Sequence, residues 1–174
     1  MSGVRFPRGL RLEPLRREHS RRRFRCGEET VENWLATKAF QHQEKHLSVA
    51  KALLDKEGVI AGYYTLATGQ VDFNDLPAEV GRDLPRRLLP VAVLVWLGVN
   101  SAHQGRGLGG LLLAQALRDC WEAGKIFTFI AVVLDCVNDA TKGFYQQWGF
   151  SELPGHPYRL FVSAKQLDAM MKPA

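Results

Sequence analysis

At 174 residues, 46% apolar and 24% charged, the chain has the size and balance of one soluble globular domain with a sizeable core. No apolar run approaches the ~20 residues that span a bilayer. The opening MSGVRFPRGLRLEPLRR lacks an apolar h-region, so neither a membrane association nor a secretory signal is expected. The net charge is +5, and nine arginines without a lysine lie in the first 25 residues, among them Arg21, Arg22 and Arg23. Arg82, Arg86 and Arg87 form a second cluster. Guanidinium forks suit phosphate, so an anionic partner is expected, although a solvated basic surface would also account for such clusters. Cys26, Cys120 and Cys136 are odd in number, far apart and in no CxxC pair, which fits free thiols in a reducing cytoplasm.

LRLEPL (10–15) reads as a short opening strand. EETVENWLATKAF (28–40) places Val31, Trp34, Leu35 and Phe40 near one helical face, and QHQEKH (41–46) continues it as a polar helix. LSVAKALLD and GVIAGYYTLATGQV flank the turn-like Lys56-Glu57-Gly58 and predict an antiparallel hairpin. FNDLPAEVGRDLPRRLLP (73–90) is a connector with room for a short helix at Pro77. VAVLVWLGV (91–99) is almost unbroken apolar, the pattern of a strand covered on both faces. A glycine-rich loop follows, then a helix from about Gly107 to Glu122. IFTFIAVVL (126–134) reads as a second fully apolar strand. NDATKGFYQQW (138–148) is a helix with Asn138 as N-cap, closed by Gly149. FSELP and YRLFVS read as two final strands, and AKQLDAMM as a terminal helix. Strand–helix–strand at 91–134 predicts a right-handed parallel crossover, while hairpins make the rest antiparallel. The expected fold is therefore a single α/β (α+β) domain over residues 1–174, with a mixed, mostly antiparallel sheet and helices on both faces.

Residues 105–110, GRGLGG, satisfy G-x-G-x-x-G between a strand and a helix. A Rossmann fold is nevertheless excluded. Asn100 to Gln104 separate the strand from the first glycine, and too little chain follows for a second nucleotide-binding half. A Walker A loop is excluded because no Gly-Lys-Ser/Thr ends the run. What remains is the shared physics: unpaired N–H groups at a helix start, a dipole that favours an anion, and glycines that let a pyrophosphate approach. A turn shaped for close helix–sheet packing would use glycine too, but has no need of four glycines and Arg106.

These residues carry a resemblance. QGRGLG matches the Q/R-x-x-G-x-G/A signature of the GNAT superfamily of acyl-CoA N-acyltransferases. VLVWLGV resembles its central strand, and NDATKGFYQQWGF its following segment. FRCGEETVENWL, AGYYTLATGQV, LPRRLLPVAVL and LPGHPYRLFVS further resemble the toxin acetyltransferases of toxin–antitoxin pairs, which acetylate aminoacyl-tRNA. The resemblance covers roughly residues 12 to 164. It implies a splayed sheet and acetyl-CoA as cosubstrate, with no metal. It places the pyrophosphate on the backbone of Gln104, Gly105, Arg106, Gly107, Leu108, Gly109 and Gly110. It places the pantetheine arm along Leu97, Gly98 and Val99, with Asn138 and Phe144 beside it and Tyr145 near the sulfur. Arg21, Arg22, Arg23, Arg86 and Arg87 are the expected RNA contacts. A charged tRNA, an antitoxin and a second copy in a homodimer are the expected partners, in the cytoplasm. In two places the chain departs from the subfamily: Trp96 stands where a basic residue is usual, and Gly98 where alanine is.

The chemistry so implied is attack of a neutral amine on a thioester carbonyl. A lysine amine titrates near ~10.4 and needs a strong base, whereas an α-amino group near ~8 needs little beyond positioning. Asp72, Asp75 and Glu79, or Asp135 and Asp139, could assist, but none is placed sharply, which suits a low-pKa amine. Periodicity alone makes Tyr145 a core tyrosine beside Phe144; the motif GFYQQWGF instead makes it the acid that protonates the leaving thiolate. His42 and His46 share a helical face, but no Glu follows His42 and no third metal ligand is evident. The residues leave other acceptors open: a protein amine, a polyamine or a small metabolite. They also leave open a nucleic-acid-binding or coenzyme-sensing module without turnover.

Overall fold

The structure, a computed structural model, describes residues 3–172. Seven strands form a mixed sheet in the order β1-β2-β3-β4-β5-β7-β6. β1 (Arg11–Pro14) pairs antiparallel with β2 (Val49–Leu54), and β2 with β3 (Ile60–Asp72). The β2–β3 turn is built locally. The Asp55 carboxylate accepts hydrogen bonds from the amides of Glu57 and Val59, each at 2.9 Å, and Gly58 takes φ +81°. β4 (Leu88–Val99) runs parallel to β5 (Ala131–Asp135), with Ala92 opposite Val132 and Val93 opposite Val133. β5 pairs antiparallel with β7 (His156–Ser163), and β7 with β6 (Ser151–Leu153). Parallel β4 and β5 are joined by α4 (Leu108–Ala123), as the expected crossover requires.

Three boundaries differ from those the sequence predicts. The helix expected over 28–46 is two, α1 (Glu29–Thr37) and α2 (Ala39–Glu44), because Lys38 leaves helical geometry at φ −125°. β4 begins at Leu88 and takes in Pro90, whose carbonyl accepts the Ile130 amide. β5 begins at Ala131, five residues later than the apolar run suggests. The amides of Ile126 and Phe127 both turn back on the Ala123 carbonyl, leaving these side chains 79% and 84% exposed. The connector carries α3 (Ala78–Gly81), and the chain closes with α5 (Asp139–Gln146) and α6 (Ala164–Met171).

The described residues divide into two compact units. One comprises Gly3–Ala67 and Leu94–Ala116, and its core gathers Leu15, Phe24, Val31, Leu35, Ile60 and Tyr63. Phe24 meets Tyr63 edge-on at 5.4 Å, and the Tyr63 hydroxyl donates to the Val31 carbonyl at 2.6 Å. The other comprises Thr68–Val93 and the chain from Leu117 onward, with a core of Val71, Leu89, Val91, Ala131, Val133 and Phe161.

Packing accounts for the unusual Gly98. A Cβ there would lie 2.7 Å from Val31 Cγ1 and 3.3 Å from Phe24 Cζ. Gly98→Ala is therefore expected to cost about 1–3 kcal/mol through overpacking. Chemical denaturation of Gly98→Ala, Val31→Ala and the double variant checks this. The double variant should be more stable than the sum of the single losses predicts, because Val31→Ala opens the space a methyl needs. Strict additivity would mean that crowding does not select glycine here.

Candidate active site

The glycine loop belongs to the unit containing the end of β4. Its entry is held by side chains from the chain itself. Asn100 donates through Nδ2 to the Ile60 carbonyl at 3.0 Å, and its Oδ1 accepts the Ala102 amide at 3.0 Å. Residues 101–103 make one 3₁₀ turn. The Gln104 amide then bridges two carbonyls, Cys26 at 2.9 Å and Val99 at 3.0 Å. One side chain thus ties the loop to the end of β4 and to the segment before α1.

Gly105 and Gly107 take φ +80° and +75°, the left-handed region that favours glycine. A Cβ at either position would meet no atom within 4 Å. The two glycines therefore serve no packing contact; they shape the backbone and leave open space above it. Arg106 is exposed between them, its Nη1 2.9 Å from His103 Nδ1. Leu108 is buried and anchors α4, and Gly109 and Gly110 occupy the first helical turn. The result is an uncrowded bend, with one cation, at the positive end of a sixteen-residue helix. Leu97 and Val99 remain partly exposed on β4, whereas Gly98 is buried against Val31 and Phe24.

The remaining coenzyme-side candidates lie in the other unit. Asn138 caps α5: its Oδ1 accepts the Thr141 amide at 2.9 Å, and Thr141 Oγ1 accepts the Asn138 amide at 3.2 Å. Its side-chain oxygen therefore serves the helix first, the N-cap role read from sequence. Tyr145 is 8% exposed and sits edge-on to Phe144 at 5.1 Å and Phe150 at 5.8 Å. Burial pushes its phenol above the ordinary tyrosine range, so it stays protonated. Cys120 is buried and pushed up to about 12 by burial, an inert core thiol.

Four of the five carboxylates considered as bases have partners, and Glu79 is exposed on α3. Asp135 holds Arg159 through two contacts of 2.9 and 3.3 Å, and Asp139 accepts from the Tyr158 hydroxyl at 2.8 Å. Asp72 accepts the Asn74 amide, and Asp75 lies 3.7 Å from His156 Nε2.

The matching family model decides the identity. It is the Acetyltransferase (GNAT) family, and it covers residues 12–150. The chain belongs to that family. Among the relatives of this acetyltransferase, one named tRNA-acetylating toxin, from Mycobacterium tuberculosis, is 30% identical over 148 residues, 85% of this chain and 88% of the relative. A solved structure of AtaT complexed with acetyl-methionyl-tRNAfMet superposes with a TM-score of 0.86 at 25% identity, covering 94% of this chain and 99% of that one. The structure of AtaTR bound with AcCoA gives 0.80 at 25% identity, with the same coverage.

In this acetyltransferase the expected RNA contacts are distributed over both units. Arg21–Arg23 form a single 3₁₀ turn; Arg22 and Arg23 are exposed. Arg86 and Arg87 are exposed in the other unit, with Arg86 lying 5.6 Å over the Phe73 ring. Several other early arginines are already paired: Arg11 and Arg16 with Glu13, Arg17 with Glu44. Sequence reading singled out Trp96 but did not join its neighbours to it: Trp34, His42 and Thr65, from α1, α2 and β3, gather with it in the first unit.

Proposed function

We propose that this acetyltransferase transfers the acetyl group of acetyl-CoA to the α-amino group of an aminoacyl-tRNA, and so blocks translation as the toxin of a toxin–antitoxin pair. The observation that carries the coenzyme half is the open bend at Gly105 and Gly107, where no protein atom would meet a side chain. The acceptor half is supported by the relative named tRNA-acetylating toxin and by the likeness to AtaT complexed with acetyl-methionyl-tRNAfMet. Acetyl-CoA supplies the acyl group as an activated thioester. The backbone from Gln104 to Gly110 holds the pyrophosphate, and Arg106 adds a charge-assisted bond. Leu97 to Val99 offer strand backbone to the pantetheine arm, with Asn138 and Phe144 beside it. Tyr145, kept protonated by burial, donates its proton to the sulfur as the carbon–sulfur bond breaks, and the proton that the attacking nitrogen sheds passes through solvent to restore the phenol. An α-amino group is partly neutral at pH 7, so orientation and loss of water suffice to make it attack, and no dedicated base is required. Arg21 to Arg23, Arg86 and Arg87 hold phosphates. The protein acts in the cytoplasm, as a homodimer, with an antitoxin as partner.

Incubation with radiolabelled acetyl-CoA and a charged tRNA pool tests the reading. Label is expected in the aminoacyl fraction, with release of one thiol per acetyl group. Arg86→Glu with Arg87→Glu should weaken RNA binding and flatten its salt dependence by about 2 in slope, while acetyl-CoA binding stays intact. Label on a peptide or small amine, with none on charged tRNA, would leave the family assignment standing and remove the RNA acceptor.

A further inference from the structure

We infer that Trp34, Trp96 and Phe40, flanked by Arg17 and Arg21, form a stacking platform for the unpaired bases at the 3′ end of an RNA acceptor. The inference rests on the acceptor proposed above and adds the surface that holds its end. Trp96 on β4 and Trp34 on α1 lie 6.1 Å apart between ring centres, tilted by 38°. His42 on α2 meets Trp34 at 4.7 Å. The Trp34 indole is fixed in place: its Nε1 donates at 3.2 Å to Thr65 Oγ1, and Thr65 is fully buried. Phe40, also on α2, lies beneath two guanidinium groups: Arg21 at 5.1 Å, and Arg17 at 5.4 Å, which also pairs with Glu44. All these side chains belong to one unit, and Trp34, Phe40, His42 and Trp96 each keep part of their surface exposed.

Two features separate this cluster from ordinary core. Among the described residues, Trp96 Nε1 is buried without a hydrogen-bond partner, and so is Arg21 Nε. Trp96 packs on the core, but bulk alone gives no reason to bury an indole N–H without an acceptor. The pairing of aromatic faces with arginines is the composition that binds single-stranded nucleic acid: bases stack on rings, and cations follow the phosphates. Stacking is tolerant of base identity. Such a platform suits the CCA end that all tRNAs share, and leaves amino acid identity to be read elsewhere.

A background of Trp121→Phe with Trp148→Phe leaves Trp34 and Trp96 as the only tryptophans. Titrating that protein with a single-stranded RNA oligonucleotide ending in CCA should quench its fluorescence saturably. In the otherwise native chain, Trp96→Leu removes a stranded N–H but also leaves a void against the core, so it should fold with a moderately lowered melting temperature. The same variant, and Phe40→Leu, should raise KM for charged tRNA by about tenfold or more, leaving acetyl-CoA affinity and kcat near the parent values. Phe40→Leu and the quenching titration decide the matter if Trp96→Leu does not fold. Folded variants with parental KM, from a parent that acetylates charged tRNA, overturn the platform and leave the acceptor reading standing. Failure of the parent to label charged tRNA defeats the acceptor reading; the titration still judges the platform, and absence of quenching overturns it. A loss confined to small-amine acceptors would equally overturn it.

Discussion

Tyr145→Phe is expected to lower kcat by about 10²-fold or more, because it removes the proposed proton donor to the departing thiolate. Acetyl-CoA affinity should change little, since the hydroxyl acts on the leaving group and not on ground-state binding. The melting temperature should also stay close to the parent value, as the ring contacts to Phe144 and Phe150 survive the change. The pH profile offers a second check. Burial raises the Tyr145 pKa above the ordinary tyrosine value of ~10. An acid must be protonated to act, so its ionisation removes activity only above that ordinary value. Near-normal turnover in a folded Tyr145→Phe variant would return this residue to the core.

Gly107→Val should weaken acetyl-CoA binding by about 10²-fold. Two effects combine. A β-branched residue is strained at φ +75°, and its side chain enters the space where the pyrophosphate would lie. Losing one or two charge-assisted hydrogen bonds of ~1.5–3 kcal/mol each gives a factor of that order. Gly107→Asn separates the two effects, because asparagine tolerates the left-handed region while still filling the space. Calorimetry should find both variants folded and both weak. Parental affinity in Gly107→Asn would mean that only the bend matters and that nothing lies above it.

What the sequence makes legible is what is encoded locally. The N-cap at Asn138, the glycines of the loop and the turn at Gly58 are short-range chemistry, and the structure contains all three. The β2–β3 hairpin and the parallel β4–β5 crossover are legible from spacing, whereas the pairing of β1 with β2 across two helices and the insertion of β7 between β5 and β6 are not. Errors arise where tertiary context overrides a pattern. Ile126 and Phe127 have the hydropathy of strand residues, yet their amides close the end of α4 and their side chains face water. Lys38 gives no sign that the helix must break there. Gly98 is legible as an oddity, but its cause, Val31 and Phe24, lies more than 60 residues earlier. The same holds for Gln104 reaching Cys26 and for Trp34 meeting Trp96: side chains that distant meet only after the chain has folded.

The two compact units are not consecutive stretches of chain, and that has a consequence for synthesis. β3, β4 and α4 each run through both units. The unit that carries the glycine loop has all its residues once Ala116 has been added. The other needs the chain to β7, and Tyr145 is among its late arrivals. As chains fold broadly from the amino terminus during translation, the glycine loop that would grip the pyrophosphate is on hand before the group that would finish the reaction. A ribosome making this protein has therefore passed the codon for Tyr145 before any nascent copy holds a full set of the residues assigned to the transfer.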